Sequence, residues 1–198
     1  KGALKGLEGG VGGLIAVNHR AGGHPGGKDA AALYEELADL GVPLVCAGGI
    51  GTEADFAAAL KLGYAGVQMG TRFIATHECR ASDAYKSAVV RASADDIVLS
   101  ERITGVPVAV VRTPYIERIG LTAGPLARWL LRGRRTRHWM RTLYALKSLW
   151  QLKRASLDET GDHDYWQAGK SVAGIHSVEP VAAIVQRFAA VVSNGRAE

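Results

Sequence analysis

The chain has 198 residues, 47% of them hydrophobic and 22% charged, with 25 glycines and a formal net charge of +5. That is enough length and apolar content to bury an ordinary core. No stretch reaches the roughly 18 uninterrupted apolar residues of a membrane span, and Lys1-Gly2-Ala3-Leu4 lacks the layout of a signal peptide, so a cytoplasmic location is expected. Cys46 and Cys79 are too few for a disulfide framework and stand in no metal-ligand spacing; both read as buried or incidental thiols, and no metal is expected.

In chain order, Leu4 and Leu7 sit at helical spacing and read as the end of a helix whose start is absent, so the chain is expected to begin inside a fold. Leu14-Ile15-Ala16-Val17 is an apolar run without helical period, the pattern of a buried parallel strand. It runs into a glycine-rich loop, Asn18 to Gly27, that carries His19 and His24. Asp29 predicts the cap of a helix to about Leu40 with an apolar stripe of Ala32, Leu33, Leu37 and Leu40, ended by Gly41. Pro43 to Ala47 reads as the next strand. Thr52, with Asp55 three residues on, predicts a capped helix through Leu62, closed by Gly63. Gly66 to Met69 is the third strand, and this alternation implies parallel pairing with right-handed crossovers. Ser82 caps a helix to about Ala92, and Ile97 to Ser100 and Val108 to Arg112 read as short strands or extended segments. Tyr165 to Ile175 is glycine-spaced, and Pro180 suits the first turn of a final helix to about Val192.

Two stretches carry the clearest chemistry. Val45-Cys46-Ala47-Gly48-Gly49-Ile50-Gly51-Thr52 and Gly66-Val67-Gln68-Met69-Gly70-Thr71-Arg72-Phe73 are each an apolar strand that stops at glycine, with a helix expected just beyond. Glycine lets backbone N–H groups approach a ligand, and a helix N-terminus favours an anion, so a phosphate is the expected guest. Thr71 adds a hydroxyl and an N–H to such a cradle, or is an ordinary N-cap. Loops at the C-terminal ends of parallel strands converge on one face, which brings His24 beside both junctions. An imidazole, with an ordinary pKa of about 6.5, moves protons near neutrality; His24 is either that group or a structural loop histidine. His19 reads as supporting or structural, and His77, His138, His163 and His176, in no paired pattern, as surface or packing residues.

The positive charge belongs to one segment. Arg128, Arg132, Arg134, Arg135, Arg137, Arg141, Lys147, Lys153 and Arg154 occur without an intervening acidic residue, and the rest of the chain is net acidic. Trp129, Trp139 and Trp150 invite a nucleic-acid or membrane-binding module. Trp139, Leu143, Leu146 and Trp150, however, describe one face of an amphipathic helix packed on a domain, and that reading is preferred, with neither nucleic acid nor membrane as partner.

Ala21-Gly22-Gly23-His24, Pro43 to Ile50, Gly66 to Phe73 and, more loosely, Tyr165-Trp166-Gln167-Ala168-Gly169-Lys170-Ser171 together resemble the nitronate monooxygenase family of FMN-dependent β/α-barrel enzymes. The resemblance implies an α/β fold: the C-terminal part of a TIM-type (β/α)8 barrel with a helical subdomain. Residues 1–114 would be barrel units, 115–164 a basic helical insertion, and 165–198 a flavin-side loop and closing helix. It implies His24 as the active-site histidine. Gly22, Gly23, Gly48 and Gly49 would lie against FMN, with Gln68, Met69, Gly70 and Thr71 at its phosphate. The implied activity is oxidation of alkyl nitronates by O2 to carbonyl compounds and nitrite, with a homodimer as candidate assembly; the alternative is a flavin-dependent NAD(P)H reductase of quinones or enoyl thioesters. Family members commonly carry Gln-Gly where this chain has Val17-Asn18, and an acidic residue where it has Arg20. Both differences alter the expected pocket.

Overall fold

A computed structural model of the chain describes residues 2–122 and 165–194. After the short helix α1 (Gly2–Glu8), the strands β1 (Leu14–Val17), β2 (Leu44–Ala47) and β3 (Gly66–Gln68) form a parallel sheet in that order. Ala16 lies opposite Cys46, and Cys46 opposite Val67. The crossovers are α2 (Ala30–Leu37) and α3 (Glu53–Lys61). Asp29 starts α2 by accepting the Ala32 N–H at 2.8 Å, and after one further 3-10 turn Gly41 ends the segment at φ 68°. At α3, Thr52 and Asp55 cap each other's backbone, the reciprocal box anticipated from their spacing.

Strand alternation splits the sheet into two unlike faces. Ala16, Leu44 and Cys46 pack with Ala59, Tyr64, Ile184 and Phe188 beneath α2, α3 and the last helix, α7 (Val181–Asn194). Phe56 of α3 stacks on Phe188 of α7 at 5.6 Å. On the other face Ile15 is 58% exposed and Val17 40%.

Beyond β3 come α4 (Thr71–Ile74), α5 (Asp83–Arg91, capped by Ser82), β4 (Ile97–Ser100), β5 (Val108–Val111) and α6 (Pro114–Ile119). The two segments after α5 are an antiparallel hairpin, so the described fold is mixed α/β. Strand β5 is buried throughout: Ala109 and Val111 join a core with Tyr85, Val89, Ala168, Val172 and Ile175, while Val108 and Val110 join Ile103, Ile116 and Tyr165. The basic segment Arg128 to Arg154, and with it His138, His163 and most of the expected insertion, lies outside the described residues.

Helix α7 is tied to the sheet by charge. Glu78 accepts the Val181 N–H at its start, at 3.0 and 3.1 Å to the two carboxylate oxygens. Arg72, only 2% exposed, donates to Glu179 at 2.8 Å, and Arg187 bridges Glu179 and Glu53 at 2.6 Å each. The ion-pair chain therefore runs from α4 through α7 to α3.

Candidate active site

Five chain segments close on one cavity of about 530 Å3. Three are the loops that leave β1, β2 and β3, the fourth is α5 and the fifth is the stretch before α7. All nine sequence-predicted residues, His24, Gly22, Gly23, Gly48, Gly49, Gln68, Met69, Gly70 and Thr71, line it. His19 is exposed and joins the β1 loop only through its backbone, whose N–H donates to Lys28 O at 2.8 Å. His77 and His176 are exposed, Cys46 is buried and Cys79 half-buried.

The loops meet backbone to backbone. A side chain on Gly22 would press on Gly169 N, 2.9 Å from the added carbon, and one on Gly169 would press on Gly22 N at 2.6 Å. Gly48, at φ 110°, leaves only 2.6 Å between such a carbon and both Ala21 N and Asn18 Oδ1. Gly70 differs: its φ is −108°, and an added carbon there meets nothing within 4 Å. The backbone at Gly70 thus borders open cavity, as a ligand cradle requires.

The helix starts differ from the simple expectation at both junctions. Asp55 Oδ2 accepts the N–H groups of Gly51 and Thr52 at 3.0 and 2.9 Å, so the anionic position at the head of α3 is filled by the chain's own carboxylate. The helix after Gly70 is a single turn, too short for a sizeable dipole, and Thr71 is its first residue rather than its cap. The Thr71 hydroxyl instead accepts the Gly169 N–H at 3.0 Å, fixing the stretch before α7 against the β3 loop. The β3 junction therefore offers a ligand the open backbone beside Gly70, whereas the head of α3 is already occupied by Asp55.

Several residues with no role assigned from sequence brace or line the rest of the cavity. Asn18, 2% exposed, donates from Nδ2 to Gly48 O at 2.8 Å and accepts the Arg20 N–H at 2.8 Å, so it braces the β1 loop against the β2 glycines. It also approaches the Cys46 sulfur at 3.6 Å. Burial pushes that thiol up, against the smaller lowering effect of the Asn18 contact, and keeps it protonated. Tyr85 comes from α5, 61 residues after His24, and lines the cavity. Its hydroxyl donates to Gln167 O at 2.5 Å and its ring stacks on Trp166 at 6.0 Å. Burial first, then the neighbouring Cys79 and Tyr165, pushes the phenol well above its ordinary value, so it remains a donor. Gln167 and Ser171 complete this side. The hairpin closes the His24 end: Ala109 N–H donates to Gly23 O at 2.6 Å, and Thr104 Oγ1 stands 3.3 Å from His24 Nε2.

The lining contains no lysine, arginine, aspartate or glutamate among the described residues. It therefore combines a neutral cradle of glycine amides with one imidazole. The family model described as nitronate monooxygenase matches residues 3–190. The chain belongs to the nitronate monooxygenase family. Members are flavin-dependent oxidoreductases. The chain is 48% identical over 87 residues to a nitronate monooxygenase of Metarhizium robertsii, an alignment spanning 40% of this chain and 24% of that protein. It is 36% identical over 110 residues, 54% of this chain and 31% of the relative, to (3aS,4S,5R,7aS)-5-hydroxy-7a-methyl-1-oxo-octahydro-1H-indene-4-carboxyl-CoA dehydrogenase of Mycobacterium tuberculosis. Among solved structures, FabK of Thermotoga maritima superposes with a TM-score of 0.73 at 27% identity, covering 98% of this chain and 60% of FabK. The chain thus spans about a third or less of the curated relatives' length and some three-fifths of FabK.

Proposed function

We propose that the protein is an FMN-dependent enzyme that oxidises alkyl nitronates with O2 to carbonyl compounds and nitrite, on a (β/α)8 barrel of which β1, β2 and β3 are three strands. The observation that carries this reading is the convergence of His24 with the Gly48–Gly49 and Gln68–Thr71 loops on one cavity. The barrel is supported by parallel strands with helices on one face and by the bare apolar residues Ile15 and Val17 on the other.

The residues fit the cofactor. The cavity falls within the roughly 300–1,000 Å3 of small-molecule sites, and the open backbone at Gly70 admits a ligand at close range. Gly22, Gly23, Gly48 and Gly49 would lie along FMN, while the amides near Gly70 and Thr71, with the Gln68 side chain, would hold its phosphate. When bound, FMN supplies the electron transfer, first from substrate and then to oxygen. His24 then has two tasks: to hydrogen-bond the nitro group of a bound nitronate, and to take the α-proton of a neutral nitroalkane. Asn18 braces the β1 loop against the β2 glycines, Tyr85 holds the stretch before α7, and the apolar Val17, Ile50 and Ile74 line the same cavity. O2 is the second substrate.

Anaerobic mixing tests the assignment. Loss of the yellow colour on adding an alkyl nitronate, but not on adding NADH or NADPH, is the expected outcome. Rapid bleaching by a reduced nicotinamide would transfer the site to the second reading, a flavin-dependent reductase of quinones or enoyl thioesters. That reading is favoured by the 36% identity to a protein named as an indene-carboxyl-CoA dehydrogenase.

A further inference from the structure

The geometry points to Thr104 as the residue that fixes the tautomer of His24, holding the proton on Nε2 and leaving Nδ1 as the ring atom that accepts a proton. This rests on the reading of His24 as a base and says which of its atoms does the work. Thr104 lies in the connection between β4 and β5, 80 residues from His24. Its hydroxyl has one proton to give, and the short contact of 2.7 Å to Val106 O takes it. The same oxygen accepts the Val106 N–H at 3.4 Å and faces His24 Nε2 at 3.3 Å. An oxygen whose proton is already committed can only accept from the imidazole, so Nε2 must carry hydrogen. In the neutral ring the lone pair then belongs to Nδ1.

Two hydrogen bonds to backbone oxygens hold the hairpin at this contact. Two residues before β5, Val106 is tied to Thr104, and within β5 Ala109 donates to Gly23 O at 2.6 Å, one residue before His24. The imidazole is therefore gripped through its own ring and through the peptide beside it, both from the same hairpin. A threonine so placed sets which ring atom is basic, and it acts through His24, being absent from the cavity lining itself.

The test uses purified protein with nitrogen-15 labelled histidine and compares wild type with Thr104→Val, which keeps the shape and removes the hydroxyl, and Thr104→Ser, which restores it. Long-range nitrogen–proton NMR correlations should find neutral His24 wholly as the Nε2–H form in wild type and in Thr104→Ser, and as a mixture in Thr104→Val. The ratio of neutral nitroalkane turnover to preformed nitronate turnover should fall about 5–10-fold in Thr104→Val and recover in Thr104→Ser, because only the neutral substrate requires proton abstraction. An Nδ1–H ring in wild type, or an unchanged ratio in Thr104→Val, overturns the proposal. Failure of the underlying reading looks different: His24→Ala would then retain full turnover of neutral nitroalkane whatever tautomer the ring adopts.

Discussion

His24 and Gly70 both line the cavity, and the proposed function makes a separate prediction at each. Replacing His24 by Ala should leave FMN bound and lower turnover of a neutral nitroalkane by about 100-fold or more, the range of a positioned base; steady-state rates with the flavin content measured in parallel decide it. Gly70→Val places new atoms in open cavity on a backbone at φ −108° that accepts a side chain. It should weaken FMN binding by about 10-fold or more, or roughly 1.4 kcal/mol, while leaving the urea midpoint close to wild type. Gly48→Val is the contrast, because φ 110° and a 2.6 Å approach to Ala21 N leave no room; it should cost about 2 kcal/mol or more of stability, read by the same melt. His24 and the glycine loops were legible in the sequence because strand, glycine and histidine stand together locally. Asn18, Tyr85 and Thr104 were not. Each works through a partner 30 to 82 residues away, and one asparagine, tyrosine or threonine among many carries no local signal of such a contact.

Among the elements, those announced by caps were readable to within a residue or two. Asp29, Thr52 and Ser82 start α2, α3 and α5 as their spacing predicted, and Gly41 ends the first of these with the left-handed turn it alone adopts cheaply. A helix is expected just beyond Gly70 and α4 starts there; its single turn, with Thr71 inside it rather than capping it, was not readable, because Thr71 spends its hydroxyl on Gly169, 98 residues on. The docking of α7 brings a pH dependence. Glu179, chiefly through its bond to Arg187, and Glu53, through its own backbone and then Arg187, are held below the ordinary value of 4.5. The unfolded chain therefore binds more protons than the native one just below that value. The stabilisation is complete above about pH 4.5 and is lost as pH falls through the lowered native values. Both carboxylates face solvent enough to be screened, so the effect is modest. Urea midpoints followed from about pH 7 to about pH 3 should decline less steeply for Glu179→Gln than for wild type; parallel curves would remove Glu179 from the account.

For the whole molecule, the alternation of strand and helix foretold a parallel sheet, and the order β1-β2-β3 with helices on one face is its realisation. The hairpin β4–β5 was left open between strands and extended segments, since residues buried on both faces lose the alternation that would mark a strand. Its place over His24 is a tertiary fact, fixed by the bonds of Gly23 to Ala109 and of Val111 to Trp166. Those same bonds draw the stretch before α7 into the site, which is how a glycine-spaced segment at the end of the chain comes to wall a cavity begun 145 residues earlier, Gly169 meeting His24's loop. On the proposed function this cavity holds FMN. The most direct test is an absorption spectrum of the purified protein, followed by identification of the compound released on denaturation. Flavin bands and the release of FMN are the expected result. A colourless protein that takes up no FMN when it is supplied would contradict it.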